Sequence, residues 1–147
     1  MDAAQIYEYR LKLTGFTEFG APLAEVLAGR RPMPPSGVRA DFAFEGVISG
    51  KLQGRIHGMD YFHLRPDGRM ELDIRAVVET DDGACIALEA GGVALAAAGG
   101  PVLLLREHVR CTTAHEDYVW LNAQEVWAAG EADMEKREIR VKGYIAK

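Results

Sequence analysis

Residues 70–83, MELDIRAVVETDDG, decide the fold that we predict for this chain. Apolar residues alternate with mostly charged ones from Met70 to Glu79, which gives an extended chain one apolar side and one charged side. The segment ends in Asp81-Asp82-Gly83, and Asp-Gly is a strong signal for a tight turn between antiparallel strands. The stretch therefore predicts a strand with one buried face that turns directly into a second strand.

The same alternation recurs at residues 7–13, 38–45 and 139–145, and Pro66-Asp67-Gly68 supplies another turn signal. Glycines at 91–92, 99–100 and 130 predict further breaks between strands. Helical signals are confined to residues 21–27, where Pro22 suits a first turn, and to residues 113–118, where Thr113 suits an N-cap. We therefore predict an all-β protein with one or two short helices, in a single domain over residues 1–147.

Many short antiparallel strands leave open edges unless the sheet closes on itself, and a barrel of about eight strands encloses a core or one small ligand. A two-sheet sandwich has the same periodicity and is the alternative architecture. We favour the barrel because closure removes the edges.

Composition excludes several classes of protein. The net charge of −5 argues against nucleic-acid binding, which needs a basic surface. The first ten residues lack the features of a secretory signal, and the apolar run at 93–105 is too short to span a membrane, so we expect a cytoplasmic protein with no membrane partner. Cys85 and Cys111 are expected to be reduced and buried.

Four ordered motifs carry a resemblance to a known family. They are Gly58-Met59-Asp60-Tyr61, Leu72-Asp73-Ile74-Arg75, Thr80–Ala84 and Tyr118-Val119-Trp120-Leu121-Asn122. Together they resemble the family of domain of unknown function 3237. The resemblance implies a lipocalin-sized β-barrel that is commonly oligomeric and has no generally assigned activity. The chain departs from the family pattern at Tyr61, where Trp is common, and in its proline-rich loop at 32–35.

Asp60 is the first candidate for a catalytic residue. An aspartate in an apolar strand has its pKa raised by loss of hydration and can then act as a general base or acid. Tyr61 and His63 follow it closely and are candidate ligand contacts. The alternative is that Asp60 accepts backbone hydrogen bonds at a bulge near Gly58.

Two further strand segments carry charged residues at alternate positions. Asp73 and Arg75 would hold an anionic ligand if they faced the interior, but the apolar face of their strand is the more natural core, which favours a surface ion pair. Arg110 and Thr112 are expected to face inward, because the family resemblance includes an Arg-x-Thr motif here. Arg110 would then stabilise an oxyanion.

Aromatic residues near the end of the chain are typical of a pocket lining or of a core. Tyr118, Trp120 and Asn122 share a strand-like face, and Trp127 follows them. Asn122 is a candidate catalytic residue that would hold a ligand carbonyl or hydroxyl.

Two functions remain open. The first is a cofactor-independent lyase, hydratase, isomerase or cyclase that acts on a small aromatic or keto compound by acid–base chemistry. The alternative is a non-catalytic barrel that binds or carries an apolar small molecule. We expect no metal and no cofactor, because the four histidines lack ligand spacing and no nucleotide or hydrolase motif occurs. Apolar residues on both strand faces, as at Val77-Val78 and Val102–Leu105, predict a homodimer or larger homo-oligomer.

Overall fold

The computed structural model describes residues 2–97 and 100–147, in which eight antiparallel strands close into one barrel. The strands are β1 (Ala3–Glu18), β2 (Val38–Gly50), β3 (Gly54–Leu64), β4 (Met70–Thr80), β5 (Cys85–Ala96), β6 (Val102–Thr112), β7 (Val126–Asp133) and β8 (Glu138–Ala146). A short helix, α1 (Leu23–Leu27), follows β1, and a 3₁₀ helix at Val119–Ala123 lies between β6 and β7. The predicted all-β barrel with short helices is confirmed.

Closure of the barrel depends on the long first strand. β1 pairs with β2 and also with β8, from Ala3↔Ala146 to Lys12↔Glu138. Each strand in the described part of the chain therefore has two neighbours, and its backbone donors and acceptors are used within the sheet. This pairing rules out the sandwich.

The alternation of side chains sorts each strand into an inner and an outer face. In β4 the apolar residues at even positions from 70 to 78 are buried, and their odd-numbered neighbours from 73 to 79 are exposed. All eight strands contribute to one apolar cluster in the interior. Because full burial of a side chain such as Leu or Ile is worth about 2 kcal/mol, this cluster is the main source of stability.

Two inward glycines allow backbone and side chains to approach closely. At Gly46 an added β carbon would overlap the carbonyl oxygen of Arg10 on β1, so only glycine lets β1 and β2 come this near. At Gly143 it would overlap the ring of Tyr7, which is fully buried against β8. The glycines thus shape the barrel and make room for an inward tyrosine.

The two ends of the barrel are covered differently. At one end, here called the α1 end, α1 buries Leu23 and Val26, and the Glu18 carboxylate accepts the Leu23 N–H over 2.7 Å. At the opposite end the 3₁₀ helix buries Leu121. Within the described residues, neither helix has the length and apolar character that a membrane-spanning helix needs.

Several local predictions need correction. β5 continues through Gly91 and Gly92, and β7 continues through Gly130, because glycine inside these strands permits close packing of backbone instead of making a turn. Ala98 and Gly99, where another break is predicted, lie outside the described residues. Cys85 is exposed on the outer face, whereas Cys111 is buried, and both are free thiols.

Candidate functional site

Four polar side chains point from the strands into the apolar interior. They are Asp60 of β3, Glu107 of β6, and Tyr7 and Tyr9 of β1. Asp60 lies in register with the buried Ile74, and Glu107 lies in register with the buried Ala128. Since residues in register share a face of the sheet, both carboxyl groups point into the barrel.

Glu107 is a deeply buried carboxyl group with an incomplete set of partners. Its side chain is 5% exposed, and the hydroxyl of Tyr9 donates to its Oε1 over 3.3 Å. Its Oε2 is buried and has no hydrogen-bond partner among the described residues. Burial, with a further contribution from the charge of Asp60, raises the pKa of Glu107 to about 7, and the Tyr9 hydrogen bond opposes this rise.

Asp60 is less deeply buried and is held by the backbone of the neighbouring strand. Its Oδ1 accepts the N–H of Asp73 over 3.0 Å, and the β3–β4 register passes from Asp60↔Ile74 to His63↔Glu71 at this point. The carboxyl group thus takes a place in the ladder of hydrogen bonds. Burial raises the pKa of Asp60 to about 7, the Asp73 N–H opposes the rise, and the charges of Asp73 and Asp41 add to it.

The two tyrosines form a stacked pair beside Glu107. Their ring centroids are 5.8 Å apart and their planes are nearly parallel, at 11°. Burial is the largest cause that raises the pKa of both phenols, and the charge of Glu107 adds to it. The Tyr7 hydroxyl is buried and has no hydrogen-bond partner in the described part of the chain.

The arrangement has a definite chemical capability. Two carboxyl groups with pKa values near 7 are both partly protonated at neutral pH, so one can donate a proton while the other accepts one. The charge of Asp60 favours the protonated form of Glu107, whereas the Tyr9 hydroxyl favours ionised Glu107 and the Asp73 N–H favours ionised Asp60. Either carboxyl group can therefore take up or release a proton near neutral pH.

Aromatic side chains line the interior toward the α1 end. Phe16 lies in register with the inward Phe42, and their ring centroids are 5.0 Å apart. Phe42 in turn contacts the edge of Phe62 at 5.8 Å and lies in register with Asp60. Phe16 is 48% exposed although it occupies an inward position, so the aromatic row runs from solvent to Asp60.

Several predicted site residues lie on the outer face instead. The prediction that Arg110 and Thr112 face inward is wrong, because Glu107, Val109 and Cys111 occupy the inward positions of β6. Asp73 and Arg75 are also exposed. Arg75 bonds to Asp73 at 3.3 Å and to Glu89 at 3.2 Å, which is the arrangement of a surface ion pair.

Three other predicted contacts are also outside the interior. Trp127 is 46% exposed on the outer face of β7. Tyr61 is exposed and lies beneath the guanidinium of Arg39, at 5.7 Å from its ring centroid. His63 ties β3 to the proline-rich loop, since its Nε2 lies 3.2 Å from the carbonyl oxygen of Ser36.

Asn122, Tyr118 and Trp120 belong to the cover at the end opposite α1. The Asn122 side chain accepts the Thr113 N–H over 2.9 Å and donates to the Thr113 carbonyl over 2.8 Å. These two bonds engage the Asn122 amide within the loop, and the helical residues begin at Val119 and not at the predicted Thr113. The Tyr118 hydroxyl donates to the Asp82 carboxylate at 2.8 Å, and the Lys51 ammonium lies 5.6 Å from the Trp120 ring centroid.

Sequence reasoning missed Glu107, Tyr7 and Tyr9 as site residues. The signal for Glu107 is present, because it shares the period-two face of Leu105, Val109 and Cys111. Its immediate neighbours Arg106 and His108 are basic, so the three together read as a solvated charged run. The signal that identifies Glu107 is a charged residue at a position that the period-two pattern of the strand assigns to its apolar face.

The outer surface also carries an open groove of about 1340 Å³. Side chains of both charge signs from β1, β2, β3 and β8 line it, and His57 lies 3.0 Å from Glu79 at its edge. Its polar groups are solvated or paired, which gives no chemical reason for a site there. In the described residues, no three His, Cys, Asp or Glu side chains cluster as metal ligands would.

Fold and interior together define the molecule as a closed eight-stranded antiparallel barrel with a buried pair of carboxyl groups. The chain belongs to the family described as protein of unknown function DUF3237, whose model matches residues 11–145. No curated protein sequence matches it.

Solved structures with the same fold share little sequence with the chain. A protein of unknown function from Clostridium acetobutylicum is 19% identical, with a TM-score of 0.82 and full coverage of both chains. A beta-barrel-like protein from Acinetobacter baumannii is 22% identical, with a TM-score of 0.77 over 99% of this chain and 96% of its own. A structure described as an enzyme from Penicillium herquei is 20% identical, with a TM-score of 0.65 over 97% of this chain and 93% of its own.

Proposed function

We propose that this protein is a cofactor-independent enzyme that moves protons on a small aromatic or keto compound held inside the barrel. The observation that carries the proposal is the pair of inward carboxyl groups, Asp60 and Glu107, whose pKa values are both raised to about 7. Groups poised near the working pH are the effective acids and bases of enzymes. The likeness in fold to a structure described as an enzyme is compatible with this proposal.

Asp60 and Glu107 divide the work in a single step. For a ketone, the Asp60 carboxylate takes the proton from the carbon next to the carbonyl. The electron pair of the broken C–H bond forms a carbon–carbon double bond, the π pair of the carbonyl group moves to its oxygen, and Oε2 of Glu107 gives its proton to that oxygen. The product is an enol, with Asp60 protonated and Glu107 ionised. Loss of water, addition to a double bond, isomerisation and ring closure all use such a pair of proton transfers.

The unpartnered atoms support this assignment of roles. Oε2 of a protonated Glu107 needs an acceptor that the protein does not supply within the described residues, and a substrate oxygen would be that acceptor. Tyr9 fixes the other oxygen of the same carboxyl group. The Tyr7 hydroxyl offers a further hydrogen bond to the substrate.

A non-catalytic carrier is the second candidate, and one observation favours it. Oε2 of Glu107 and the Tyr7 hydroxyl, which have no partner among the described residues, would form hydrogen bonds with any bound hydroxyl or carbonyl group, whether or not a reaction follows. Turnover separates the two functions.

Hydrogen–deuterium exchange tests for turnover without knowledge of the natural substrate. A panel of small aromatic ketones is incubated with the protein in D₂O, and the loss of the proton next to the carbonyl is followed by NMR. We expect exchange in the wild-type protein and a fall of about 100-fold or more in Asp60→Asn, which keeps the shape and loses the base. Asp117→Asn, an exposed aspartate in a loop, is the matched control and should exchange at the wild-type rate.

The outcome of the exchange experiment has two clear alternatives. If Asp60→Asn exchanges as fast as the wild type per folded molecule, Asp60 is not the base. If tight binding of a ketone is measured with no exchange above background, the carrier function replaces the enzymatic one.

A further inference from the structure

The charges inside the barrel all have the same sign. The ionisable groups that face one another there are Asp60 on β3, Glu107 and Cys111 on β6, and Tyr7 and Tyr9 on β1, and each is neutral or negative. From the neighbouring strands, Asp41 of β2 and Asp73 of β4 add negative charge. In the described part of the chain, no lysine, arginine or histidine is buried.

The positive side chains of the same strands lie outside and are engaged there. Arg39 binds both oxygens of Asp41, at 2.9 and 3.1 Å, and Arg75 pairs with Asp73 and Glu89. Among the described residues, no cation lies within ion-pair distance of Asp60 or Glu107. The interior field is therefore negative and is not offset from within.

We propose that the interior site takes a neutral or cationic aromatic molecule that carries a hydroxyl or amino group, and that it excludes carboxylates and phosphates. The inference rests on the proposed function in taking the Asp60–Glu107 interior as the binding site. It adds the charge class of the ligand, which the activity alone does not set.

Hydrogen-bonding capacity leads to the same class of ligand. When Glu107 is ionised, its Oε2 needs a donor, and the Tyr7 hydroxyl also has no partner among the residues that the structure describes. A hydroxyl group supplies one donor, and an ammonium group supplies three together with a compensating charge. A carboxylate supplies none, and it would bring a third negative charge next to two carboxyl groups.

The aromatic side chains near Asp60 indicate the body of the ligand. Phe16, Phe42 and Phe62 pack in a row with ring centroids 5.0 and 5.8 Å apart, and Phe42 lies in register with Asp60. Aromatic rings favour planar apolar partners, and Phe44, Tyr7 and Tyr9 add further rings to an interior that is otherwise mostly aliphatic. A single aromatic ring system with one polar substituent therefore matches the interior.

Three naphthalene compounds of nearly equal size test the charge class. They are 2-naphthylmethanol, 2-naphthylmethylamine and 2-naphthoate, and their affinities are measured by calorimetry at pH 6 and pH 8. At pH 8 we expect the alcohol and the amine to bind at least about 10-fold more tightly than naphthoate. Naphthoate binds only when Asp60 and Glu107 are both protonated. Each unit of pH above the pKa of either group lowers the protonated fraction of that group, and with it the affinity for naphthoate, by about tenfold. Affinity for the amine should rise from pH 6 to pH 8, with release of protons, whereas affinity for naphthoate should fall.

Removal of the interior charges should reverse this preference. In the double variant Asp60→Asn, Glu107→Gln, naphthoate should gain at least about 10-fold in affinity at pH 8 and the amine should lose a similar factor. The control Glu89→Gln removes an outward carboxylate from the neighbouring strand and should keep the wild-type order of affinities. Circular dichroism verifies the fold, and Glu107→Gln alone gives the same reading if the double variant does not fold.

Three results would overturn the inference: equal binding of naphthoate and the alcohol by the wild type at pH 8, an unchanged order in the folded variants, or failure of all three probes to bind at millimolar concentration. The first two leave the proposed function intact, since ketone exchange by Asp60 does not depend on the preference among these probes. Conversely, the expected order of affinities with no ketone exchange would support the charge class and contradict the enzyme.

Discussion

At the scale of single residues, Asp60 and Glu107 differ in what satisfies their oxygens. Asp60 accepts a backbone N–H from β4, whereas Glu107 accepts the Tyr9 hydroxyl on one oxygen and has no partner for the other within the described part of the chain. Because of this backbone hydrogen bond, Asp60 is a structural acceptor, and this role does not prevent the same carboxyl group from acting as a general base. Oδ1 serves the strand, and the ionised group as a whole can still accept a proton.

Substitution of Asp60 by Asn and by Ala separates these roles. Asn keeps an oxygen for the Asp73 N–H, and Ala leaves that donor without a partner, which costs about 1–2 kcal/mol. At pH 5 we expect urea denaturation to rank Asp60→Ala below Asp60→Asn by about this amount. Amide hydrogen exchange at Asp73 should be faster in the Ala variant only. Equal exchange at Asp73 in both variants would contradict the role of Asp60 in the strand.

The sequence predicts Asp60 but gives poor guidance on its companions. An aspartate among apolar strand residues stands out, whereas Glu107 is hidden between Arg106 and His108. The prediction for Arg110 followed the family motif instead of the apolar pattern of its strand, in which Val109 and Cys111 occupy the inner face and Arg110 the outer one. Choosing the face requires the apolar pattern of the whole strand.

At the scale of elements, β8 and β1 fit together through the contact of Gly143 with Tyr7. The Tyr7 ring occupies the space that a side chain at 143 would need, and it cannot move outward because it is fully buried. The contact makes the packing of an inward tyrosine depend on a glycine more than 130 residues away along the chain.

Gly143→Ala should therefore overpack the junction of β1 and β8. We expect it to lower the free energy of unfolding by about 1–3 kcal/mol, the usual cost of a methyl group forced into a filled interior. Gly100→Ala is the matched control, because an added β carbon there meets no atom of the described residues within 4 Å. Equal stability of the two variants in urea denaturation would show that Tyr7 repacks freely.

Strand and turn chemistry made most elements predictable, but not every break between them. Alternation is a local property, so the faces of β4 and the turn at Gly83 could be read from a few residues. The roles of Gly92 and Gly130 could not, since each adjoins the backbone of the next strand and the contact depends on the pairing register of the two strands. The loop at 113–123 likewise depends on the side chain of Asn122.

At the scale of the whole molecule, the interior acids link folding to pH. Glu107 has a pKa of about 7 in the folded protein and an ordinary value of 4.5 when exposed, and Asp60 is shifted in the same direction from 3.8. The folded protein therefore binds more protons than the unfolded chain between these limits. The contribution of both groups to stability is greatest below their ordinary pKa values and is lost as pH rises through 7.

Glu107→Gln should flatten this dependence on pH. The loss of stability that Glu107 causes between pH 5 and pH 8 is about 2 kcal/mol, and it should be absent from the variant. Urea denaturation at the two pH values measures it, with Glu89→Gln as a control that keeps the wild-type slope. Parallel curves for the wild type and Glu107→Gln would mean that Glu107 ionises normally in the folded protein.

Periodicity could not predict that the sheet closes. A barrel and a sandwich have the same alternation, and the pairing that distinguishes them joins Ala3 to Ala146. The homo-oligomer also stays a prediction, which the exposed Leu95 and Trp127 on the outer face favour.

The pairing of the first strand with the last has a consequence for synthesis of the protein. As the chain leaves the ribosome, β1 emerges well before β8, the partner that covers one side of it. Until then Tyr7 and Tyr9 have no β8 backbone to pack against, and two strand edges are open to other chains. The nascent protein is thus open to aggregation along these edges until β8 has left the exit tunnel and paired with β1.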